Sequence, residues 1–262
     1  MPQVPAPEET GDGQVRAFDA LKFLFRDPDW QNNLLIGSVF YMIPMIGALA
    51  LMGWHCEIMQ RLARKHPKPI PKLEFSDLTH YLGRGVAPFV VSMVMALPLS
   101  LGISVVVTAI MMMGVAGAAA TREPAVMILV GVVGIVLSWI VGLLLGAVMN
   151  AAMTRAELTE DFAASLSMGR ILDYAGKTWW AVLLSNFVYS LVATPLIFVG
   201  YAMCFVGMYP ALIVIVTGMT HLRHQQYGHY LAKGGEPVAI KPAASIPSEA
   251  QAVVPAGAYP QR

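Results

Sequence analysis

Charged residues are scarce in this chain and absent from four long stretches. Asp, Glu, Lys and Arg make up 13% of the 262 residues, where a soluble domain has about a quarter. The charge-free stretches are residues 30–56, 85–121, 124–154 and 178–222, which are 27, 37, 31 and 45 residues long. About 20 apolar residues in a helix span the hydrocarbon core of a bilayer. The first three stretches therefore fit one span each, and the fourth fits two.

Cysteines and the usual catalytic motifs are also nearly missing. The two cysteines, Cys56 and Cys204, lie at or inside apolar stretches without CxxC spacing. We therefore expect buried thiols and not a disulfide framework. The chain has no HExxH motif and no acidic residue within a span, which argues against a zinc protease and an intramembrane aspartyl protease. We expect no enzyme, no catalytic residue, no cofactor and no metal.

Three histidines after the last apolar stretch come nearest to a metal-binding pattern. His221, His224 and His229 cluster there, and the first two share a helical face. His55 and Cys56 could join them to hold a metal or a haem. Polar residues at the interfacial end of a helix, where histidine also suits the helix dipole, explain the same pattern. We favour this second interpretation.

The apolar stretches predict an all-α fold, a polytopic transmembrane helical bundle of about five spans with short interfacial helices. Lipid offers no partner for backbone N–H and C=O groups, so each span must be helical. The membrane domain is expected over residues 15–230. Its predicted spans are 33–54, 86–111, 125–149, 180–203 and 208–222.

The first of these spans is open to two interpretations. Trp30 and Trp54 bracket it, 24 residues apart, as aromatic residues on opposite membrane surfaces would. Pro44 and Gly47 interrupt it near the middle. They could kink a single span or turn the chain back as a re-entrant hairpin. We favour the kinked span.

The segments outside the spans are predicted to be interfacial helices and disordered ends. Residues 15–26 place apolar and charged side chains on opposite helical faces, which predicts a helix lying in the interface. A leader packed on neighbouring spans would fit the same pattern. The polar connector 155–177 predicts another interfacial helix. The Pro- and Glu-rich segment 1–14 and the Pro- and Ala-rich tail 234–262 are predicted to be disordered.

The distribution of Lys and Arg predicts the orientation, because cytoplasmic loops carry the excess. Five spans place thirteen of these residues on the side of the C-terminal tail and four on the other side. We therefore expect a prokaryotic cytoplasmic (inner) membrane protein with a cytoplasmic C-terminus. If residues 33–54 form a hairpin, the N-terminus joins the cytoplasmic side and the later spans keep their orientation.

Small residues recur at every fourth position of the second and third spans. Such stripes let helix backbones approach closely, which drives association in lipid. We expect the stripes to face each other, or one of them to face a partner protein. A general abundance of small residues and a polar pathway lined by the hydroxyls are the alternatives. The predicted helix-packing residues are Ser92, Ala96, Ser100, Ser104 and Thr108, and Gly134, Ser138, Gly142 and Gly146.

A run of basic residues follows the first span. It consists of Arg61, Arg64, Lys65, Lys68 and Lys72. Each could contribute about 1 kcal/mol of attraction to an anionic leaflet. We interpret the run as a topology determinant. A docking site for a specific lipid or an acidic partner is the sharper hypothesis.

Short motifs near both ends of the membrane domain resemble those of a known family. They are Phe25-Arg26-Asp27-Pro28-Asp29-Trp30, Ile36-Gly37, Ile43-Pro44-Met45-Ile46-Gly47 and Gly53-Trp54, and then Gly207, His221-Leu222 and Gln225-Gln226-Tyr227. Through them, residues 16–230 resemble the uncharacterised prokaryotic membrane-protein family DUF4013. The family tends to have Leu-Pro-x-Trp-x-Asp in its Pro-rich loop, where this chain has Phe75 in place of Trp. The resemblance implies a multi-pass helical fold and no established activity.

Two functions from different classes fit these features. The first is a structural or accessory subunit of a membrane assembly, suggested by the small-residue stripes and the lack of buried charge. Its partners would be membrane lipids and a membrane protein or further copies of the chain, with no nucleic acid. The alternative is a small-solute transporter or a lipid-handling membrane protein, suggested by Pro44, Pro98 and Pro195, which interrupt spans.

Overall fold

The structure is helical, as predicted. It is a computed structural model that describes residues 15–121, 123–203 and 206–252, and none of these residues forms a β-strand. Four features of the sequence lie outside the described residues, namely the predicted disordered segment 1–14, Arg122, Cys204 and the end of the predicted disordered tail at 253–262. The all-α prediction is confirmed for the residues that the structure describes.

The α-helices of the described residues are α1 Ala17–Leu21, α2 Trp30–Met42, α3 Ile46–Ala63, α4 Leu78–Thr121, α5 Pro124–Thr159, α6 Phe162–Ser165, α7 Met168–Ala202, α8 Met208–Ala232 and α9 Pro247–Ala252. Three of them, α4, α5 and α7, are long and apolar enough to cross a membrane. About five spans were predicted, and the described residues contain three candidates. The other two predicted spans fall on the shorter helices α2 and α3 and on α8, whose second half is polar.

Residues 33–54 form a helical hairpin, so the kinked span that we favoured is wrong. The chain leaves α2 at Pro44, whose ring prevents continuation of the helix, and Met45 adopts a left-handed backbone with a φ of 60°. A side chain at Gly47 would overlap the carbonyl group of Phe40. Glycine therefore allows α3 to fold back closely on α2.

The open end of this hairpin is held by the segment between α3 and α4. The Leu73 N–H donates to Asn33 Oδ1 at 2.7 Å, and the Trp54 indole N–H donates to the Pro71 carbonyl at 3.1 Å. Asn33 in α2 and Trp54 in α3 thus reach neighbouring residues of one segment. Trp30 and Trp54 consequently lie at the same end of the hairpin, not on the opposite surfaces that their spacing suggested.

Helices α7 and α8 form a second hairpin. Its turn lies at the same end of the molecule as the turn of the α2–α3 hairpin. Gly200 approaches Met208 so closely that an added Cβ would lie 2.9 Å from the Met208 Cα. Helix α8 then runs beside α3, and His55 Nε2 lies 3.4 Å from Thr217 Oγ1. His55 and Thr217 each follow the first residue of their helix by nine positions. Both turns are therefore at one end of the molecule.

Helices α4 and α5 pair along their length and extend into a long arm. At about 1.5 Å per residue the 44 residues of α4 measure about 66 Å, more than twice the roughly 30 Å core of a bilayer. We call residues 100–142 the arm and the other described residues the base. Among the described residues of the arm only Gly114 and Gly134 are buried. The arm is thus a two-helix hairpin with little else packed on it.

The two predicted interfacial helices are not present as such. Residues 15–26 form the single turn of α1 and a 3-10 turn, and Ala17, Ala20 and Leu24 are buried against the base. The alternative interpretation, a leader packed on neighbouring helices, describes this segment. In the predicted connector 155–177, α5 continues to Thr159 and α6 forms one turn. Helix α7 begins at Met168, before the predicted fourth span.

Part of the predicted disordered tail also packs on the base. Val238 and Ile246 are buried, and the Lys241 N–H donates to the Leu158 carbonyl at 2.9 Å. Helix α9 follows Ile246 directly. The expectation of disorder does not describe residues 236–252, because their few apolar side chains fit between the helix ends of the base.

Candidate functional site: a buried charge network

Six ionisable side chains, here called the charge network, converge inside the base. Their side chains are at most 12% exposed. They come from α3, α4, the end of α5 and α8, and they are Glu57, Arg61, Arg84, Glu157, Glu160 and Arg223. The expected lack of buried charge is therefore wrong for the base, although all six residues lie outside the four charge-free stretches.

Glu57 joins α3 to α4. Its Oε1 accepts from Arg61 Nε at 2.6 Å, one helical turn away, and its Oε2 accepts from Arg84 Nη1. Both carboxylate oxygens thus have a guanidinium partner. A buried ion pair is tolerated only when its charges and hydrogen bonds are matched in this way.

Glu160 is the second junction of the network. Its carboxylate accepts from Arg84 Nε at 2.7 Å, from Gln60 Nε2 at 2.8 Å and from Lys241 Nζ at 2.8 Å. Burial alone would raise the pKa of Glu160, but these hydrogen bonds, above all the one from Arg84, hold its pKa below the ordinary value. Glu160 is therefore a fixed anion that ties α3, α4 and the tail to the end of α5.

Glu157 and Arg223 bring α8 into the network. Arg223 Nε donates to Glu157 Oε2 at 3.1 Å, and Arg223 Nη2 donates to Glu157 Oε1 and, at 3.1 Å, to Thr220 Oγ1. The Gln60 side chain donates to the Glu157 carbonyl at 2.9 Å. With three carboxylates and three guanidinium groups, the network as a whole is neutral.

The tail closes the outer side of the network. Glu249 in α9 accepts from Arg61 Nη2 at 2.7 Å. Asp77, fully buried, accepts from Ser248 through the backbone N–H at 3.0 Å and the hydroxyl at 2.5 Å. Together with Lys241, these contacts make residues 236–252 a strap across the polar end of the base.

A chain of uncharged polar groups lies beside the network. Asn150 Nδ2 donates to Gln226 Oε1 at 2.7 Å, which joins α5 to α8. Gln226 Nε2 in turn donates to Ser185 Oγ at 2.7 Å and to Asn186 Oδ1 at 3.0 Å on α7. Buried amides satisfied in this way fix the relative positions of three helices.

The hydrogen bonds of the charge network join helices of the base to one another. Both Glu57 and Glu160 are engaged by arginines, so neither is placed to accept a proton from a substrate. Among the residues that the structure describes, no three His, Cys, Asp or Glu side chains are close enough to hold a metal. The rings of His221 and His224 lie 6.5 Å apart, and Phe23 stacks on His221.

The predicted basic run does not form one surface. Arg61 belongs to the charge network and is 6% exposed, so its assignment to a lipid or partner docking site is wrong. Lys65 is exposed. Arg64 binds the Lys241 carbonyl, Lys68 binds Asp29 and Lys72 binds Glu74. A docking role for these outer residues stays a prediction.

The two small-residue stripes do not face each other. On α4 the residues Ser100, Ser104 and Thr108 are exposed, because α5 contacts a different face of the helix. That face carries Ile110, which lies over Gly134, the one stripe residue of α5 buried in the pair. The other members, Ser92, Ala96, Ser138, Gly142 and Gly146, are partly buried. The alternative that the α4 stripe faces a partner protein stays open.

The sequence contained one signal for the charge network that we did not use. Glu57, Arg84 and Arg223 each lie within one residue of the end of a charge-free stretch, and Arg155 directly follows another. Charges of both signs at matching helix ends can pair across a bundle. Which ends are neighbours follows from the two hairpins, of which the spans 180–203 and 208–222 anticipated the second, while the first was only the alternative that we did not favour.

Comparison with known proteins identifies a family and no characterised relative. The sequence model described as "Protein of unknown function (DUF4013)" matches residues 36–206, well over half of the chain. The motifs that we recognised before residue 36 and after residue 206 lie outside this match. No curated protein and no solved structure matches the chain. The match within residues 36–206 shows that the chain belongs to the DUF4013 family.

Proposed function

We propose that this protein is a non-enzymatic membrane subunit that associates with other membrane proteins through its arm. The observation that carries the proposal is the exposed stripe of Ser100, Ser104 and Thr108 on α4. Small residues at this spacing allow a second helix to approach closely in lipid. Helix α5, the intramolecular partner of α4 in the arm, packs elsewhere, so the stripe is available to another chain.

The contacts within the base support a function in which the arm associates and the base holds it in place. The charge network, the Asn150–Gln226 amide chain and the tail strap hold the helix ends in one arrangement. A base fixed in this way provides a rigid support from which the arm extends. Groups that would support an enzymatic role, such as a carboxylate not engaged by arginine, are not among the side chains of the network.

The placement of positive charge supports an inner-membrane location with a cytoplasmic base. Every Lys and Arg among the described residues belongs to the base. The described residues of α4 and α5 within the arm include neither. The α2–α3 hairpin returns the chain to its starting side, so both termini would share the side of the base. The positive-inside rule then assigns this side to the cytoplasm.

Cysteine labelling in intact cells tests this orientation. In a chain with Cys56 and Cys204 replaced by serine, we expect Thr121→Cys at the tip of the arm to react with a membrane-impermeant maleimide. Glu236→Cys in the strap should react only after lysis. The reverse pattern, or labelling of both positions in intact cells, would contradict the proposed orientation.

The association itself is tested by the mass of the purified protein in a mild detergent. We expect a particle whose protein mass exceeds the 28.3 kDa of one chain, and we expect Ser104→Leu to dissociate it. Ala109→Leu is the matched control, since Ala109 is also small and exposed on α4 but lies off the stripe. A monodisperse monomer without partners, or equal effects of the two substitutions, would argue against an associating arm.

A further inference from the structure

A cleft between α7, α8 and the segment leading into α1 forms a cavity whose lining shares no residue with the charge network. Its volume is about 430 Å³, within the roughly 300–1,000 Å³ typical of ligand sites. Val15 contributes to the wall on the side of the N-terminal segment. Ser185, which accepts from Gln226 in the amide chain, also lines the cavity, whereas no residue of the charge network does.

The lining of this cavity is graded from basic to apolar. His229 and Lys233 lie one turn apart on α8, and Leu184 and Val188 lie one turn apart on α7. Lys233 Nζ donates to the Lys177 carbonyl at 2.8 Å. This bond holds the ammonium group at the end of the cleft that is nearest to Lys177. An occupant would therefore meet positive charge at one end and, apart from Ser185, hydrocarbon along the rest.

The cavity also lies at the level where α7 enters its apolar stretch. The charge-free part of α7 begins at residue 178, and Trp180 forms part of the wall. Trp179 and Trp180 are both exposed and pack edge to face. Exposed tryptophans at the end of an apolar helix are typical of the membrane interface. The basic end of the cavity would then be at headgroup depth and the apolar end at acyl-chain depth.

We propose that this cavity binds one anionic phospholipid from the surrounding leaflet. The headgroup phosphate lies at Lys233 and His229, and one acyl chain runs along Leu184 and Val188. A small soluble anion would leave the apolar wall unused, and a neutral lipid would leave the basic end without a counter-charge. This site is independent of the proposed arm-mediated association.

Native mass spectrometry of the full chain in maltoside detergent tests the proposal. The probes are phosphatidylglycerol and phosphatidylcholine with identical acyl chains. We expect one phosphatidylglycerol to be retained, and Lys233→Gln to weaken its binding about fivefold, the equivalent of about 1 kcal/mol for one cation at an anionic lipid. Lys22→Gln, an exposed lysine that does not line the cavity, should leave the binding unchanged.

A cavity-filling variant separates this site from lipid bound elsewhere on the surface. Leu184→Trp should remove the retained lipid while the thermal unfolding midpoint stays near that of the unmodified chain. If that variant does not fold, Val188→Phe, a smaller increase in volume, serves the same purpose. Equal retention of the two lipids, no retained lipid, or retention unchanged in Lys233→Gln and in the filled cavity would overturn the proposal.

Discussion

The two long helices α4 and α5 run through both the base and the arm, yet different interactions hold each region together. In the base, α4 and α5 contribute Arg84, Glu157 and the residue that follows α5, Glu160, to hydrogen-bonded ion pairs. In the arm, the same helices meet through apolar contacts such as Gly114 beneath Val130. Directional bonds fix the geometry of the base, whereas the arm depends on packing and on whatever surrounds it.

This difference suits a protein whose two ends meet different solvents. Ion pairs need partners close by once they are removed from water, and the base supplies them within the chain. In lipid, apolar surface has no tendency to be buried, so helices associate mainly through close packing. An arm with exposed apolar side chains is therefore stable in a bilayer without further cover.

Removal of Arg84 should give the largest effect and would show how strongly the base depends on its charges. In Arg84→Met, Glu57 and Glu160 each lose a guanidinium partner while they remain buried. We expect a destabilisation of about 3–5 kcal/mol, the usual cost of breaking a buried pair, measured by thermal unfolding in detergent. Arg26→Met, which breaks the exposed pair with Asp19, should cost at most about 1 kcal/mol. Equal losses would contradict a special role for the network.

The pH dependence of stability should reveal a buried carboxylate of the base outside the charge network, that of Asp27. Burial raises the pKa of Asp27 from 3.8 to about 6, although Lys68 partly opposes the shift. The stability from this raised pKa is fully present below about pH 4 and is lost as the pH rises through about 6. This change in the pKa of Asp27 corresponds to about 3 kcal/mol.

Asp27→Asn should remove this dependence and keep the contact with Asn33, whose side chain donates to Asp27 at 2.7 Å. The stability difference between the unmodified chain and the variant is measured at about pH 4 and about pH 7. We expect the variant to gain relative stability at the higher pH. A difference that does not change with pH would show that Asp27 is ionised at no cost in the folded state.

Two glycine substitutions compare backbone contact in the base with open space in the arm. A Cβ at Gly53 would overlap the Tyr81 carbonyl oxygen, while a Cβ at Gly102 meets nothing within 4 Å. Gly53→Ala should therefore force α3 and α4 apart at a cost of about 1–3 kcal/mol. Gly102→Ala should be neutral or stabilising by up to about 1 kcal/mol, since alanine favours the helix. Comparable destabilisation by both would show that the arm is as tightly packed as the base.

The sequence was most informative where the physical constraint is local. A helix in lipid must be apolar along its length, so α4, α5 and α7 could be recognised from composition alone. The hairpin at Pro44 could not, because a proline and a nearby glycine fit a kink as well as a turn. The contacts that distinguish the two, from Asn33 and Trp54 to the segment before α4, join residues far apart in the sequence.

The candidate site depended on this missing information. Glu57 and Arg84 appear in the sequence as ordinary flanking charges, and only the fold shows that they meet. The stripe on α4 illustrates the opposite case. Its spacing places the small residues on one face of α4, but Ser104 could not be assigned to a partner, since periodicity gives the face of a helix and not what covers it.

The smallest effect that we predict concerns the strap, whose removal should loosen the polar end and leave the arm unchanged. In Ser248→Ala the hydroxyl bond to the buried Asp77 is lost, while the backbone N–H bond remains. We expect a local loss of about 1 kcal/mol, the net value of one hydrogen bond, seen as faster amide hydrogen exchange in residues 246–252. Amides of the arm should exchange at an unchanged rate, because the hydrogen bonds described for the strap all join it to the base. If the arm responded as strongly as the strap, the two regions would not be energetically separate.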